Sequence, residues 1–565
     1  MPSLYEEKPW VHSYPSGVPA EVEVPLKSVG KAFDIATERW GKRTAIIFYG
    51  KKISYMELRD KVDRLASALY DLGIKKGDRV AILLLNSPEH IIAFYAIIKI
   101  GAISTPISPV YVYSEIRHQL QDSGAETIIC QDILYEGVDK SGVNLRNVIL
   151  SNISESLPKG KRFLGKSVLR GVYQNMATPS PEIYKREGVH QLQELIRRYP
   201  PNPPRIEIDP DEDLLTLPYT SGTTGLPKGV MITHRNVMAD FTQFHAFYPF
   251  FEEGREVNVA YMPFYHAGGQ FSALLDGILR GSTLVVITTP DVDDILHGIV
   301  KYKASWFIGA PAIYEALKDY KKTDIVEWKK LKIVASGADA LHEFTARDWK
   351  DRTGVDLHDN YGMTELVAMS HGTPLRGGRT GSIGIPIPNT MAAILDPEED
   401  LFISPGEMGE LVISGPQVTK GYWNKPEATK DCEAMINSVR WWRTGDLARM
   451  GEDGYFYIYD RKRDLIKYKG LRVYAREVEE ALKTHPNIKE VGVIGIKDIK
   501  VGENVKALVV LESDARGKIS EEDIIEYCRG KLAHYKIPRI VEFVGEIPKT
   551  DIGKVSRREL REEEI

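Results

Sequence analysis

Residues 219–230, with the sequence YTSGTTGLPKGV, place hydroxyl side chains, glycines and one lysine between two apolar runs. Hydroxyls donate hydrogen bonds, glycines let the backbone approach a ligand, and lysine adds a mobile positive charge, so the stretch suits phosphate oxygens. The strand-like flanks predict a loop at the tip of a hairpin. A Walker loop is excluded because it joins a strand to a helix and follows its lysine with Ser or Thr, whereas Lys228 precedes Gly229. A flexible surface turn is the plainer alternative, but it would need neither the lysine nor the paired threonines.

Six further polar motifs follow this loop along the chain. They are SGADAL from Ser336, DNYGMTE from Asp359, GYWNKPEAT from Gly421, RTGDLA from Arg443, DRKRDLIKYKG from Asp460 and PKTDIGKVSR from Pro548. Taken alone, TE is common where helices begin, TGD is typical of turns, and a basic run is usually solvated. Taken together with the loop, over nearly the whole chain, the motifs resemble those of the adenylate-forming superfamily. That superfamily includes acyl-CoA synthetases, luciferases and peptide-synthetase adenylation domains.

The resemblance implies a two-step reaction that uses ATP, Mg²⁺ and coenzyme A. A carboxylate attacks the α-phosphate of ATP, expels pyrophosphate and becomes an acyl adenylate; the thiol of coenzyme A then releases acyl-CoA and AMP. Because two anions meet in the first step, its catalysis consists mostly of neutralising charge and aligning the reactants.

The resemblance also assigns roles to single residues. Glu365 would anchor magnesium, since a hard cation prefers oxygen ligands, and Thr364 would bond the α-phosphate. Lys554 would be the catalytic cation of adenylation, and His266 would close over the acyl carboxylate. The residues implied for binding ATP or AMP are Thr220, Ser221, Gly222, Thr223, Thr224, Gly225, Lys228, Gly337, Ala338, Asp339, Asp359, Asn360, Tyr361, Gly362, Asp446 and Arg461.

Several of these assignments have plain structural alternatives. Tyr361 would stack on adenine opposite residues 337–339, but an aromatic beside a tight turn is also a usual core residue. Asp446 would accept both ribose hydroxyls, which one ionised carboxylate can do. His266 could be a packed core histidine, and Lys554 near the chain end could be an ordinary surface charge.

A mobile C-terminal domain is a further implication of the resemblance. We expect a large AMP- and acyl-binding domain over residues 1–461 and a small mobile domain over 462–565, with the hinge near Arg463. Rotation would bring first Lys554 and then the LIKYKG stretch to the nucleotide. The residues implied for coenzyme A are Lys467, Lys469, Gly470 and Arg472. An ordinary face of a small domain would explain these four equally well.

The elements that position these residues follow an α/β pattern. Ser54 and Glu57 have the capping-box spacing, and four apolar residues then recur on one helical face until Gly73. Helices alternate with apolar strands here and again over residues 256–359, which predicts two layered αβαβα-type lobes with parallel sheets. A β-rich subdomain follows from Gly406, and an α+β unit ends the chain. The polar, proline-rich residues 170–213 are expected to be a surface excursion without regular structure.

Composition excludes several other classes of protein. Among 565 residues, 43% are hydrophobic and 27% are charged, with a net charge of −5, so no nucleic-acid footprint is present. The longest apolar stretch, residues 91–103, is interrupted by Lys99 and predicts a buried helix and no transmembrane segment. The N-terminus lacks a secretory signal, and three distant cysteines fit no disulfide framework, so we expect a cytoplasmic protein. The resemblance suggests a homodimer and a peripheral membrane contact.

Tyr265 and His266 bear on which carboxylic acid is the substrate. Peptide-synthetase domains place an aspartate for the amino group of their substrate where Tyr265 and His266 stand here, so amino acids are disfavoured. KPWVHSYPSGVP and ISPVYVYSEIRHQLQDSGAETII are most similar to medium- and long-chain fatty acyl-CoA ligases. Gln270 stands where some of those relatives have a gating tryptophan, which leaves aryl or short hydroxy acids open. A luciferase-like oxidase and a non-catalytic AMP-binding regulator are the alternatives, and the second is disfavoured because the catalytic and binding side chains are all present.

Overall fold

The computed structural model describes residues 5–158, 179–220, 226–396, 399–498, 500–549 and 555–562. Its helices are α1 Val29–Trp40, α2 Tyr55–Asp71, α3 Pro88–Lys99, α4 Tyr113–Ser123, α5 Tyr135–Ser141, α6 Leu192–Arg198, α7 His234–Phe247, α8 Val292–Tyr302, α9 Pro311–Lys318, α10 Glu343–Thr353, α11 Pro426–Asp431, α12 Ala475–Lys483, α13 Glu521–Arg529 and α14 Arg557–Glu562, with a one-turn helix Ala267–Gly269 that runs into the π-helix Gln270–Gly277.

The strands are short and numerous. They are β1 Thr44–Phe48, β2 Lys51–Ser54, β3 Arg79–Leu83, β4 Ile103–Pro106, β5 Thr127–Gln131, β6 Asn147–Ser151, β7 Val189–Gln191, β8 Leu214–Thr216, β9 Tyr219–Thr220, β10 Lys228–Gly229, β11 Ile232–Thr233, β12 Val257–Ala260, β13 Thr283–Val286, β14 Phe307–Gly309, β15 Val334–Ser336, β16 His358–Tyr361, β17 His371–Gly372, β18 Ile385–Pro386, β19 Met391–Leu395, β20 Gly409–Ser414, β21 Glu433–Ile436, β22 Val439–Met450, β23 Phe456–Arg461, β24 Ile466–Tyr468, β25 Leu471–Val473, β26 Ile488–Asp498, β27 Gly502–Leu511 and β28 Ile540–Phe543.

The first lobe is built on a seven-stranded sheet in the order β11-β8-β4-β3-β5-β6-β7, parallel except for β11. Helix α2 begins at the predicted capping box, where Ser54 accepts from the Glu57 amide and the Glu57 carboxylate accepts from the Ser54 amide at 2.7 Å. Its predicted apolar face is fully buried, and Gly73 follows it with φ +91°. The apolar stretch 91–103 forms most of α3, which is buried along almost its whole length, as predicted.

The interval 170–213 differs from its prediction. Within its described part, β7 adds the edge strand beside β6, and α6 packs against α2 with Leu192 and Leu195 buried. Two inward leucines suffice to hold a short helix although its surroundings are polar, because packing overrides local composition. Residues 159–178 lie outside the described part of the chain.

The second lobe contains a pair of strands that lie far apart in the sequence. Its four-stranded sheet has the order β12-β13-β1-β2, so β1 from the start of the chain pairs in parallel with β13, with Ile46 opposite Leu284. The strands β14 to β18 form a further five-stranded sheet, with β14, β15 and β16 parallel. This sheet carries two of the candidate nucleotide-binding motifs at its strand ends.

The remaining chain forms a β-rich sheet and a small α+β part. Strands β19, β20, β22, β21 and β23 make the first, and β23 ends at Arg461. Strands β24 to β28 make the second, covered by α12 and α13 around their own apolar core. The chain therefore has a large N-terminal and a small C-terminal part, as the sequence indicates.

Candidate active site

The base of the predicted phosphate-binding hairpin is present. Strands β9 and β10 are antiparallel, with Lys228 opposite Thr220, as the strand-like flanks predict. The hydroxyl of Tyr219 donates a 2.8 Å hydrogen bond to the carboxylate of Asp122 on α4, which fixes the hairpin to the first lobe. The five loop residues 221–225 lie outside the described part of the chain.

One tyrosine, Tyr422, contacts both Lys228 and the candidate magnesium ligand Glu365. The ammonium nitrogen of Lys228 lies 5.0 Å from the ring centroid of Tyr422, a cation–π contact. The Tyr422 hydroxyl donates a 2.7 Å hydrogen bond to Oε1 of Glu365. Sequence reasoning singled out the GYWNKPEAT motif but assigned Tyr422 no role, since nothing local connects it to a carboxylate 57 residues away.

Glu365 is a buried carboxylate that suits a cation. Only 5% of its surface is exposed, and desolvation raises its pKa above the usual range, against the hydrogen bond from Tyr422. A divalent cation beside such a group would stabilise its ionised form. Thr364 precedes it on the same 3₁₀ turn and is partly exposed, so its hydroxyl can meet a ligand.

The turn that carries these two residues is unusually tight. Val367 has φ +65° and ψ −68°, and the Ala368 amide donates to the Leu366 carbonyl at 2.8 Å. These features define the rarer γ-turn, which is strained, and most of all for a β-branched residue. Gly362 completes the loop, because a Cβ there would lie 1.6 Å from the Ala368 carbonyl oxygen. Strain of this kind is often stored at functional sites.

The candidate ribose site joins strands from two regions of the chain. Pairing of β22 with β23 sets Asp446 opposite Arg461, and Oδ1 of Asp446 lies 2.8 Å from Nε of Arg461. Oδ2 accepts a 2.5 Å hydrogen bond from the Tyr361 hydroxyl. Each carboxylate oxygen can accept a second bond, so room for two ribose hydroxyls remains. The Tyr361 ring is held by its hydroxyl and by an edge contact with His371 at 5.8 Å.

The candidate adenine site lies at the carboxyl ends of β15 and β16. These strands are parallel, with Ser336 opposite Asp359, so residues 337–339 and the DNYG motif leave the same edge of the sheet. Ala338 has φ +69°, a left-handed backbone beside the predicted binding surface. Burial raises the pKa of Asp359 to about 8, and the Asn360 side chain accepts from the Tyr248 hydroxyl at 2.8 Å. The Asn360 side chain therefore braces the motif.

The predicted acyl side of the site is built on a π-helix. His266 caps the short helix Ala267–Gly269, and its Nδ1 accepts from the Gly268 amide at 3.4 Å. The π-helix Gln270–Gly277 continues from it, and such turns are frequent at functional sites. Helix α7 packs against it through Phe244 and Phe271, whose ring centroids are 5.6 Å apart.

The four candidate coenzyme A residues are not brought to the nucleotide residues. Lys467, Lys469, Gly470 and Arg472 are all exposed on the hairpin of β24 and β25. Helix α12 faces the large part of the molecule instead. The guanidinium of Arg476 donates to the Leu341 carbonyl at 3.2 Å, and the ammonium nitrogen of Lys483 lies 2.8 Å from Nε2 of His342.

The segment after Lys554 is anchored beside the candidate ribose site. Lys554 lies outside the described residues, but Arg557 contacts Glu479 at 2.7 Å, Asp464 at 3.3 Å and Asp460 at 3.5 Å. Asp460 directly precedes Arg461 of the candidate ribose site. Three carboxylates thus hold the chain end close to the nucleotide residues.

The predicted hinge residue lies between two sheets. Arg463 is exposed in the 3₁₀ turn Lys462–Asp464, after the last strand of the β-rich sheet and before the first strand of the C-terminal sheet. Its Nε is 3.8 Å from the carboxylate of Asp464.

Two negative findings hold within the described ranges. They contain no helix that is both long and apolar enough to cross a bilayer. They also contain no cluster of three side chains of the types that commonly ligate metals.

Comparisons with known proteins agree with this geometry. The model of the AMP-binding enzyme family matches residues 33–423, and that of the AMP-binding enzyme C-terminal domain matches residues 477–554. The chain is 35% identical over 565 residues to a long-chain-fatty-acid–CoA ligase of Bacillus subtilis strain 168, covering 99% of each protein. A ligase of the same name from Escherichia coli O157:H7 is 33% identical, with 99% of this chain and 98% of that protein covered. The crystal structure of ATP-bound MatB from Rhodopseudomonas palustris superposes with a TM-score of 0.81 at 27% identity, covering 95% of this chain and 99% of that one.

Proposed function

Because the chain belongs to the AMP-binding enzyme family, we propose that it is an AMP-forming acyl-CoA ligase for medium- or long-chain fatty acids. The observation that carries the proposal is the convergence of three motifs on Arg461. Its guanidinium pairs with Asp446, and its positive charge lowers the pKa of Glu365. Tyr422 contacts both Glu365 and Lys228. Residues from motifs that are far apart in the sequence thus lie beside one another near the base of the hairpin.

The residues divide the work of the first step. Asp446 would hold the ribose, and Thr220, Lys228 and Thr364 would meet phosphate oxygens. Glu365 would hold Mg²⁺ together with phosphate oxygens, and the ion would neutralise charge that develops on the phosphates. Lys554 would add the remaining positive charge, so that the acyl carboxylate can approach the α-phosphate in line. His266 would cover the carboxylate on the acyl side.

The second step requires the C-terminal part to move. We place the domain boundary between residues 461 and 462 and the hinge at Arg463. The present pose anchors the segment after Lys554 near the ribose residues and leaves the candidate coenzyme A residues in solvent, which suits adenylation. Rotation would exchange the two, so that Gly470 and its basic neighbours meet coenzyme A. A homodimer, a peripheral membrane contact and a cytoplasmic location stay predictions.

The test is a panel of straight-chain fatty acids from octanoic to octadecanoic, with benzoic and amino acids as comparisons. We expect acid-dependent pyrophosphate release in Mg²⁺ and ATP, followed by AMP and thioester in equal amounts when coenzyme A is added. Light emission or oxygen uptake in place of the thioester would identify the oxidase alternative. Nucleotide binding without any acid-dependent pyrophosphate release would identify the regulator.

A further inference from the structure

Asp240 is a buried carboxyl group that the reaction outlined above does not use. It lies in the middle of α7, among Val237, Met238 and Ala239, and its surface is 0% exposed. Neither carboxyl oxygen has a hydrogen-bond partner among the residues that the structure describes. Leaving a buried polar group unsatisfied costs about 1–3 kcal/mol, so a hydrogen-bonding ligand group that reached Asp240 would be stabilised there.

The register of α7 shows which way Asp240 faces. One turn before it, Asn236 bonds the carbonyls of Pro416 and Val418. One turn after it, Phe244 meets Phe271 of the π-helix. Residues one turn apart on a helix are neighbours on its surface, so Asp240 lies at the seam between these two contacts.

The strained turn of the active site closes that seam. The backbone amides of Met369 and Ala368 approach the Asp240 carboxyl and lower its pKa, although their geometry falls short of a full hydrogen bond. Residues 368 and 369 directly continue the γ-turn after Thr364 and Glu365. Asp240 therefore lies near both the turn that carries Thr364 and Glu365 and the π-helix that follows His266.

The other buried polar groups of α7 and the π-helix differ from Asp240. Gln243 bonds the Pro388 carbonyl at 2.7 Å, and Asp276 pairs with the buried Arg280 at 2.6 Å. Gln270, at the start of the π-helix, is 4% exposed, and its Nε2 lacks a partner in the described structure. In α7, Nε2 of His234 and Oε1 of Gln243 lack partners as well, but each of these side chains bonds through its other polar atom. Gln270 and Asp240 both lie on the N-terminal side of the Phe244–Phe271 contact.

From this placement we propose that Asp240, with Gln270, recognises an oxygen function on the acyl chain, so that the preferred substrate is a hydroxy- or oxo-substituted fatty acid. The inference rests on the proposed ligase function and narrows its substrate class.

The chemistry of a neutral carboxyl explains the preference. Burial raises the pKa of Asp240 well above its usual value and outweighs the opposing effect of the Met369 and Ala368 amides, which favours the protonated acid. A protonated carboxyl has one donor and one free acceptor, and a hydroxyl has the complementary pair. One substrate hydroxyl could therefore satisfy both Asp240 oxygens, whereas a plain methylene chain would leave them unpaired. A site built to bond a substrate hydroxyl rejects the analogue that lacks it.

The experiment compares matched acids. The fatty acid panel first fixes the favoured chain length by pyrophosphate release. At that length, kcat/KM is then measured for the unsubstituted acid and for its monohydroxy and mono-oxo positional isomers. We expect one isomer to exceed the unsubstituted acid on the order of 10- to 100-fold.

Variants then test whether Asp240 causes the difference. Asp240→Leu should lower kcat/KM for the favoured isomer and raise it for the unsubstituted acid, which inverts their ratio, while Asp240→Asn should keep part of the preference. Thr242→Val is the matched control, because this hydroxyl bonds only the Met238 carbonyl of its own helix among the contacts described. Its ratio should equal that of the unmodified protein.

The outcomes separate this inference from the proposed function. If no isomer exceeds the unsubstituted acid, or if Asp240→Leu lowers all acids equally, Asp240 serves the structure of α7 and the inference is overturned while the ligase function stands. If no acid of any kind releases pyrophosphate, the ligase function itself is rejected. Isothermal titration of the favoured isomer and the unsubstituted acid, without ATP, gives the same comparison for binding alone.

Discussion

The Tyr422 hydroxyl orients the carboxylate of the candidate magnesium site. It donates a hydrogen bond to the Glu365 carboxylate, and the Tyr422 ring also lies against the ammonium group of Lys228. Partners of metal-binding carboxylates orient them, so losing the hydroxyl should disturb the ligand without removing it.

Replacing Tyr422 by Phe should raise the Mg²⁺ concentration needed for half-maximal adenylation on the order of 10-fold. ATP–pyrophosphate exchange over a Mg²⁺ titration measures this, and Mn²⁺ binding in the presence of ATP, followed by electron paramagnetic resonance, reports affinity without turnover. Tyr455→Phe is the matched control, since that hydroxyl bonds the Gly377 carbonyl instead. An unchanged Mg²⁺ requirement in Tyr422→Phe would remove the assigned role.

Replacing Lys554 by Ala should lower the rate of adenylate formation by about 10²- to 10³-fold, because a charge that acts in the transition state is lost. Thioester formation from a supplied acyl adenylate should stay close to that of the unmodified protein. Single-turnover assays of each half-reaction separate the two steps. Equal loss of both would contradict a role confined to the first step.

The element that carries Thr364 and Glu365 is the tight loop from Tyr361 to Met369. Its shape depends on Gly362, where no Cβ fits against the Ala368 carbonyl. The loop holds two reactive side chains at fixed positions, and this rigidity is what a positioned phosphate site requires.

Replacing Gly362 by Ala should abolish measurable adenylation, since the backbone must shift to relieve a 1.6 Å contact. ATP–pyrophosphate exchange measures the activity, and near-ultraviolet circular dichroism checks that the core persists. Gly530→Ala is the control: nothing lies within 4 Å of its Cβ, and its φ of −79° is accessible to alanine. Normal ATP–pyrophosphate exchange in Gly362→Ala would contradict the prediction, because it would show that the loop functions with a shifted backbone.

The elements could be predicted from sequence where a local signal specifies them. The capping box of Ser54 and Glu57, the apolar strand runs and the strand flanks of the phosphate hairpin all act over a few residues. Helix α6 could not be predicted, because its stability comes from packing on α2 and its own short sequence carries no clear helix signal. The pairing of β1 with β13 could not be predicted either, since no local pattern records a partner so distant.

At the scale of the whole molecule, two parts are joined by one short turn and several polar contacts. Arg557 contacts carboxylates on both sides of that turn, and α12 meets the large part through Arg476 and Lys483. Such contacts between domains are polar and limited, which is typical of surfaces that separate during function.

Replacing Arg463 by Pro should block thioester formation while adenylation persists. Arg463 lies in a 3₁₀ turn, and such turns have φ values near the one that proline fixes. We therefore expect the present pose to be retained, whereas the fixed φ opposes rotation. Single-turnover measurements with coenzyme A and a supplied acyl adenylate follow the second step. Overall turnover equal to that of the unmodified protein would exclude Arg463 as the pivot.

The candidate site could be predicted in its parts but not in its connections. The motifs identified Glu365, Asp446, Arg461 and Lys228 from residue type and order. The role of Tyr422 and the isolation of Asp240 depend on which distant segments meet, and that is a property of the assembled molecule. The coenzyme A residues follow from the resemblance alone, because the present pose leaves them in solvent.

The late partner of β1 has a consequence for synthesis. Strand β1 emerges from the ribosome with β2 as its only early neighbour, and β13 follows more than two hundred residues later. At roughly 5 to 20 residues per second, that delay is about ten to fifty seconds. During it the nascent chain presents the open edge of an apolar strand, a surface that invites aggregation. We expect the emerging N-terminal half to need chaperone protection until β13 is complete.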